Sequence, residues 1–419
     1  MPTRPAVLLL PLLIVPLAAD DWPAWRGPTG QGQSAEKDLP LTWDGKTGKN
    51  VLWKVPLLPD KARPDQNQSS PIAHGGRVWV AVSYWPDGVE PKGNAPEHHV
   101  RCHQADDGKL VWDATVPPGP WKLTDLRGGY TAPTPATDGT RVFVAFGSAV
   151  LAALDRDGKV AWRQELVPHD FDVAMAVSPV VVGELVLLVC DFTDAKKSRL
   201  LAFDRATGEK KWERSRAGHG FCHSTPTPAT VAGKPLLLVA GAKALEGLDP
   251  ATGETLWTAD AAGDTVSPVL GGGVVYLDSG RGSKGVAIDP TGTGNVTKTH
   301  TRWTVASVPQ GFSSPVVVGE HLYRLHSPGT LTCRKLSDGE VVYQERLTGA
   351  ATASSPIATA DGRIYCASAG KSFVVQSGPT FKLLATSDLD DASQASPAVA
   401  DGRLFLKGSK WLWCVGAKE

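Results

Sequence analysis

The chain of 419 residues carries 43 Lys and Arg against 43 Asp and Glu, so no global field draws it to nucleic acid or to an anionic membrane. That length admits two ordinary domains or one large β unit, and a hydrophobic content of 42% supplies a core for either. The 44 Gly and 33 Pro demand many turns, and 14 Trp against 2 Met points to one aromatic position used repeatedly.

The first residues, MPTRPAVLLLPLLIVPLAADDWPAW, place Arg4 before an apolar run from Ala6 to Leu17, followed by Ala18 and Ala19. This is the layout of an export signal over residues 1–19, in a run too short and too broken by Pro to span a bilayer. No cysteine lies near the cleavage point to carry a lipid. The expectation is a secreted or periplasmic protein without a transmembrane anchor. Residues 20–47 then read as an N-terminal extension.

From there the chain repeats. Ser-Pro or Thr-Pro opens a unit at Ser70, Thr134, Ser178, Thr227, Ser267, Ser314, Ser355 and Ser396, mostly at spacings in the forties. Such a period, filled with short β runs, predicts an all-β fold: an eight-bladed β-propeller of four-stranded antiparallel blades over residues 48–419. In the unit from Ser313, SPVVVG, HLYRL, TLTCRKL and EVVYQERL read as four hairpin-connected strands. Between the third and fourth strands of the regular units comes an Asp-to-Gly turn, at Asp204–Gly208 and again at Asp249–Gly253. The Asp bonds the turn backbone and the Gly takes the positive φ. These turns lack the alternating ligands of a calcium loop.

Each unit ends on an aromatic: Trp112, Trp162, Trp212, Trp257, Trp303 and Tyr343, with Leu384 in the seventh. A large flat side chain at one fixed place suits packing between neighbouring blades. The eighth unit stops at WLWCVGAKE without a fourth strand, whereas TGKNVLWKVPL around Trp53 matches one. The N-terminal strand near residues 48–58 is therefore expected to complete the last blade and close the ring.

Units such as LLAFDRATGEKKW and ALEGLDPATGETLW resemble pyrroloquinoline-quinone (PQQ) repeats, and the recurrent Trp resembles that family's tryptophan-docking motif. The resemblance covers residues 48–419. It implies a quinoprotein-dehydrogenase-like propeller or one like the non-catalytic propeller of outer-membrane protein assembly. The segment DWPAWRGPTGQG at Asp21 looks like the N-terminus of secreted bacterial PQQ-like propellers. Quinoprotein alcohol dehydrogenases add a vicinal disulfide, a calcium-binding Glu/Asn/Asp set and a catalytic Asp. Here Cys102, Cys190, Cys222, Cys333, Cys366 and Cys414 stand apart, and no calcium set or catalytic Asp is matched. PQQ with calcium is thus the cofactor that the resemblance raises without a ligand set to hold it.

In a propeller, residues just before each Ser/Thr-Pro cross from the outer strand of one blade to the inner strand of the next and rim the central funnel. Four positions before lie Gln66, Tyr130, Ala174, His223 and Gln310; three before, Asn67, Thr131, Ser224 and Asp264; two before, Gln68, Thr225, Phe312 and Gln394. Of these, Gln66, Asn67, Gln68, Tyr130, His223, Asp264, Gln310 and Gln394 are the candidate ligand contacts, since clustered polar groups at a narrow opening fix a small polar ligand. Loops between second and third strands add Lys243, Arg281, Lys284, Lys371, Lys407 and Lys410 on Gly-rich turns, a candidate anion-binding ring. The long insertion from Ser83, with Tyr84, Trp85, His98 and His99, reads as a lid or protein-contact edge. His98 and His99 point to opposite faces of a strand and make a poor metal pair.

GHGFCHS, residues 218–224, raises Cys222 and His223 as a nucleophile and base, yet adjacent side chains on an extended chain diverge. PHDFD at Pro168 adds His169, Asp170 and Asp172, without a zinc-like spacing. No metal site and no catalytic set is expected. Two functions remain. One is a monomeric, non-catalytic binding or scaffold module that takes a protein, a glycan or a small anionic ligand at its funnel face. The other is a small PQQ-dependent alcohol or sugar oxidoreductase.

Overall fold

The computed structural model describes residues 21–120, 128–169, 173 and 175–418. The expected export signal at 1–19, and Asp170, Asp172 and Ala174, lie outside the described residues.

Eight antiparallel sheets stand in a ring as an eight-bladed β-propeller. Blade 6 shows how the sequence builds one: Val316–Val318, His321–His326, Thr330–Lys335 and Val341–Arg346 pair in chain order. Blade 8 takes three strands from the C-terminus, and Val51–Pro56 pairs with Trp411–Val415 to supply the fourth. The ring is closed by main-chain hydrogen bonds between the two halves of the chain. Two blades carry an added short strand: Arg63–Pro64 in blade 1, and Gly294–Asn295 running parallel to Thr255–Ala259 in blade 4.

The Ser/Thr-Pro opening has a physical purpose beyond punctuation. The N–H of Ser70 donates to Thr134 Oγ1 (2.9 Å), that of Thr134 to Ser178 Oγ (3.0 Å), and that of Ser178 to Thr225 Oγ1 (3.0 Å). On the other side, Ser267 donates to Ser314, Ser314 to Ser355, Ser355 to Ser396, and Ser396 back to Ser70, all at 2.8–3.0 Å. Each blade hands its orphan N–H to the hydroxyl of the next, so the buried donors are satisfied around the inner ring. A short hydroxyl side chain is what this geometry needs. The relay is interrupted between Thr227 and Ser267, where Thr227 Oγ1 turns to Pro268 O instead (2.8 Å).

The terminal aromatics dock between blades. Trp162 Nε1 donates to Arg205 O in the next blade (3.1 Å), and Trp53, Trp112 and Trp303 do the same to Ala105, Arg156 and Leu336. The turn Gly of that next blade lies flat on the indole: a Cβ at Gly208 would sit 2.6 Å from Trp162, besides adopting φ +74°. The turn therefore excludes a side chain for two independent reasons. Asp204 Oδ1 accepts from the N–H groups of Ala206 and Thr207, as its place in the turn predicts. Trp257 departs from the pattern because blade 5 carries an insertion: Val296 donates its N–H to Thr258 O, and Trp257 is sealed at 1% exposure.

Residues 21–38 run across the far ends of the inner strands. Trp22 pairs with Ala73 of blade 1, and Thr137 of blade 2 donates to Pro23 O. Gly30 rests on Pro228 of blade 4, and Leu270 of blade 5 donates to Gln31 Oε1. Gln33 reaches Val317 O of blade 6, Ser34 reaches Ala358 O of blade 7, and Gly402 of blade 8 donates to Glu36. Trp25 Nε1 donates to Ser267 Oγ (3.3 Å), at the break in the hydroxyl relay. The segment is a plug that makes the central channel blind at one end.

Candidate functional site

At the open end the eight crossovers converge on a cavity of about 480 Å³. Its wall is the residue two before each blade opening, without exception: Gln68, Ala132, Ala176, Thr225, Thr265, Phe312, Ala353 and Gln394. Trp25 of the plug forms its floor, and hydroxyl-bearing Thr134, Ser178 and Ser267 line the depth between. Arg281 stands at the mouth with its guanidinium 5.2 Å from the Phe312 ring centre, bound to Asp264 Oδ2 at 2.6 Å. His223 packs edge-on against Phe221, with ring centres 4.5 Å apart. Burial, reinforced by Arg281, pushes the His223 pKa down to about 4, so the imidazole is neutral at pH 7. Among the described residues no carboxylate belongs to the lining.

A side lobe of about 470 Å³ opens over blades 7, 8 and 1. It shares Gln68 and Gln394 with the central cavity and adds Gln66, Asn67, Lys371 and Ser409. Gln68 Nε2 donates to Gln66 Oε1 at 3.1 Å. Asn67 is held in a left-handed turn (φ 45°) because its amide spans Ser83, donating to Ser83 O at 3.0 Å and accepting from Ser83 N at 2.6 Å. Local side-chain to backbone bonding of this kind is what allows Asn a positive φ.

The structure therefore brings His223, Gln68, Gln394 and Arg281 into the central cavity, and Gln66, Asn67 and Lys371 into the side lobe. Tyr130 is instead buried at 1% exposure, its ring beside Trp85 and His98. Asp264 lies outside both linings and spends its carboxylate on Arg281, and Gln310 is exposed beyond them. Lys243 and Lys410 are exposed on loops, and Lys284 projects from the strand Ser283–Ile288.

Lys407 differs most from expectation. It is the last residue of Arg403–Lys407, buried at 1%, with Nζ donating to Ser69 O, Ser69 Oγ and Ala81 O at 2.8–3.0 Å. Burial lowers its pKa to about 7, opposed by the charge of Asp65. This ammonium ties blade 8 to blade 1 and does not face a ligand. Tyr84, Trp85, His98 and His99 are likewise buried strand residues, so the expected lid does not include them. His98 bonds Ser83 and Ser148, whereas His99 bonds Tyr84 and Asp113, on opposite faces as the strand geometry requires.

Cys222 is 3% exposed, its Sγ facing Asp264 O at 3.3 Å, and burial raises its pKa to about 12. A thiol so protonated is no nucleophile. All six cysteines are buried and unpaired. Among the described residues no group of three His, Cys, Asp or Glu could hold a metal ion. Among the described residues the cavity holds no carboxylate and its one cation is already paired, so those residues do not fit a quinone–calcium pair. No step is derived through one. Sequence reasoning missed Trp25 and the small residues Ala132, Ala176 and Ala353, although the position two before each opening was visible as a column.

Comparison with known proteins agrees with this architecture. The PQQ_2 family, described as outer membrane protein assembly factor BamB, matches residues 96–345, more than half of the chain. BamB from Moraxella catarrhalis superposes with a TM-score of 0.57 at 14% identity, covering 88% of this chain and 98% of that one. A europium-containing methanol dehydrogenase superposes at 0.54 with 12% identity, covering 95% and 89% respectively. The computationally designed Ika8 protein gives 0.53 at 10%, covering 85% and 98%. Identities this low speak for the fold alone. No curated protein matches the chain. No helix among the described residues is long and apolar enough to cross a membrane.

Proposed function

The chain belongs to the PQQ_2 family, described as outer membrane protein assembly factor BamB, and from that premise we propose an exported, non-catalytic binding module that works through the open end of its channel. One observation carries the reading. Eight crossovers converge on a cavity that is closed below by the plug and lined by hydroxyls, amides and small side chains, with no carboxylate among the described lining residues to act as base or calcium ligand. Such a site binds and orients. Among the described residues its proton-transfer capacity is poor: burial leaves His223 a feeble base, with a pKa of about 4, and keeps Cys222, outside the lining, a thiol at pH 7.

Export is supported by the leader-like sequence of residues 1–19. A protein partner is supported by the family description alone. The rigid ring suits presentation of loops, since each blade is locked to the next by the hydroxyl relay and the docked indoles.

The test is reconstitution of the purified protein with PQQ and calcium, followed by quinone absorbance and dye reduction with alcohols and sugars. The module reading expects no saturable absorbance shift and no turnover. Saturable quinone binding with turnover would establish the oxidoreductase instead.

A further inference from the structure

The chemistry of the two lobes points to a ligand class, an inference that rests on the binding reading above. The central cavity and side lobe meet at Gln68 and Gln394, and each falls within the roughly 300–1,000 Å³ typical of small-molecule sites. Their polar lining consists mainly of amides and hydroxyls, which both donate and accept hydrogen bonds. Thr134, Ser178 and Thr225 each already accept a backbone N–H from the preceding blade. Each hydroxyl is thereby left its own proton to give to an oxygen in the cavity.

Two aromatic faces flank this polar wall. Trp25 forms the floor, and Phe312 stands 40% exposed at the mouth. Flat apolar faces set among amides and hydroxyls match a pyranose ring, which has C–H faces and a hydroxylated edge. Charge narrows the choice further. In the central cavity Arg281 is neutralised by Asp264. In the side lobe Lys371 is exposed, and no carboxylate among the described residues shares that lining. A neutral portion of the ligand therefore fits the centre, and an anionic portion fits the side.

We propose that the funnel binds an oligosaccharide bearing a carboxylate, with sugar rings over Trp25 and Phe312 and the carboxylate beside Lys371. A lone small acid would leave the aromatic cavity unfilled. An uncharged glycan could accept a hydrogen bond from Lys371 but would form no ion pair with it.

Titration calorimetry with a tetrameric oligogalacturonide, its carboxyl-reduced neutral counterpart and acetate tests this. The oligogalacturonide should bind saturably and about tenfold more tightly than the neutral form, as expected for one charge-assisted contact. Acetate should give no saturable heat. Lys371→Gln should erase the difference between the two oligosaccharides, and Ala353→Trp, which fills the cavity, should abolish both. Gln68→Leu, a milder change at the junction of the lobes, should weaken both severalfold.

Absence of oligosaccharide binding, or binding indifferent to Ala353→Trp and Gln68→Leu, overturns the proposal, as does discrimination that survives Lys371→Gln. The broader reading fails separately. A photo-crosslinker at Phe312 that captures an exported protein in an Ala353-dependent manner would sink the saccharide and leave the binding module standing.

Discussion

The two ends of the central channel are built from the same eight inner strands yet hold their contents differently. At the blind end, residues 21–38 are fixed by backbone and amide bonds to blade after blade, with Trp22 and Arg26 each 2% exposed. At the open end crossovers bond to one another, as Ser69 N–H to Thr131 O and His223 N–H to Asp264 O, and the side chains two before each blade opening face a cavity. The repeat makes the wall, and chain that does not repeat decides what each end does. Trp25 belongs to both, bonded to Ser267 where the hydroxyl relay lapses and exposed upward as a floor.

That contrast predicts where a substitution costs stability and where it costs only binding. Trp22→Ala, at the plugged end, should lower unfolding free energy in urea by about 3–5 kcal/mol, the range for a buried aromatic. A loss below about 1 kcal/mol would mean that the plug merely rests on the ring.

Acid should act next, through the shared wall. Burial, with a smaller contribution from neighbouring His99, holds the His98 pKa down to about 3, and burial with nearby Arg324 holds His326 to about 4. The unfolded chain takes up these protons near pH 6.5 and the folded chain does not. Their stabilising contribution is full above pH 6.5 and declines as pH falls toward 4. The decline is roughly 1.4 kcal/mol per pH unit for each histidine, about 3 kcal/mol for His98 across that window. Urea melts at pH 6.5, 5.5 and 4.5 should show this slope, and His98→Gln should flatten it.

Ser355→Ala removes one link of the relay and leaves the Ser314 N–H without its acceptor. The expected cost is about 1–2 kcal/mol by the same melts, with both ends of the channel kept. Ala353→Trp, at the open end, should change stability by only about 0.5 kcal/mol while removing whatever the cavity binds.

Much of the wall was legible in the sequence because it repeats. The Ser/Thr-Pro spacing, the Asp-to-Gly turns and the stray fourth strand at Trp53 are periodic signals, and each has a fixed physical cause in the fold. The site was legible only in part. Gln68, Thr225, Phe312 and Gln394 carry chemistry and could be noticed, whereas Ala132, Ala176 and Ala353 contribute by being small and leave no chemical trace. Lys407 looked like a loop cation because a Gly follows it, but the strand extends through it and Ser69 and Ala81 offer carbonyls to bury the ammonium. The plug could not be placed at all. Its partners lie up to 366 residues away, as between Glu36 and Gly402, and nothing in its own sequence repeats to announce them.

The central claim is that the open end of the blind channel is where this protein meets its ligand or partner. The most direct measurement places a photo-crosslinking residue at Phe312, inside the mouth, and at exposed Leu110 on an outer strand as control, in otherwise wild-type and Ala353→Trp chains. The account predicts a specific adduct at position 312 that Ala353→Trp removes, and none at position 110. Adducts at position 110 alone, or an adduct at 312 untouched by Ala353→Trp, would contradict it.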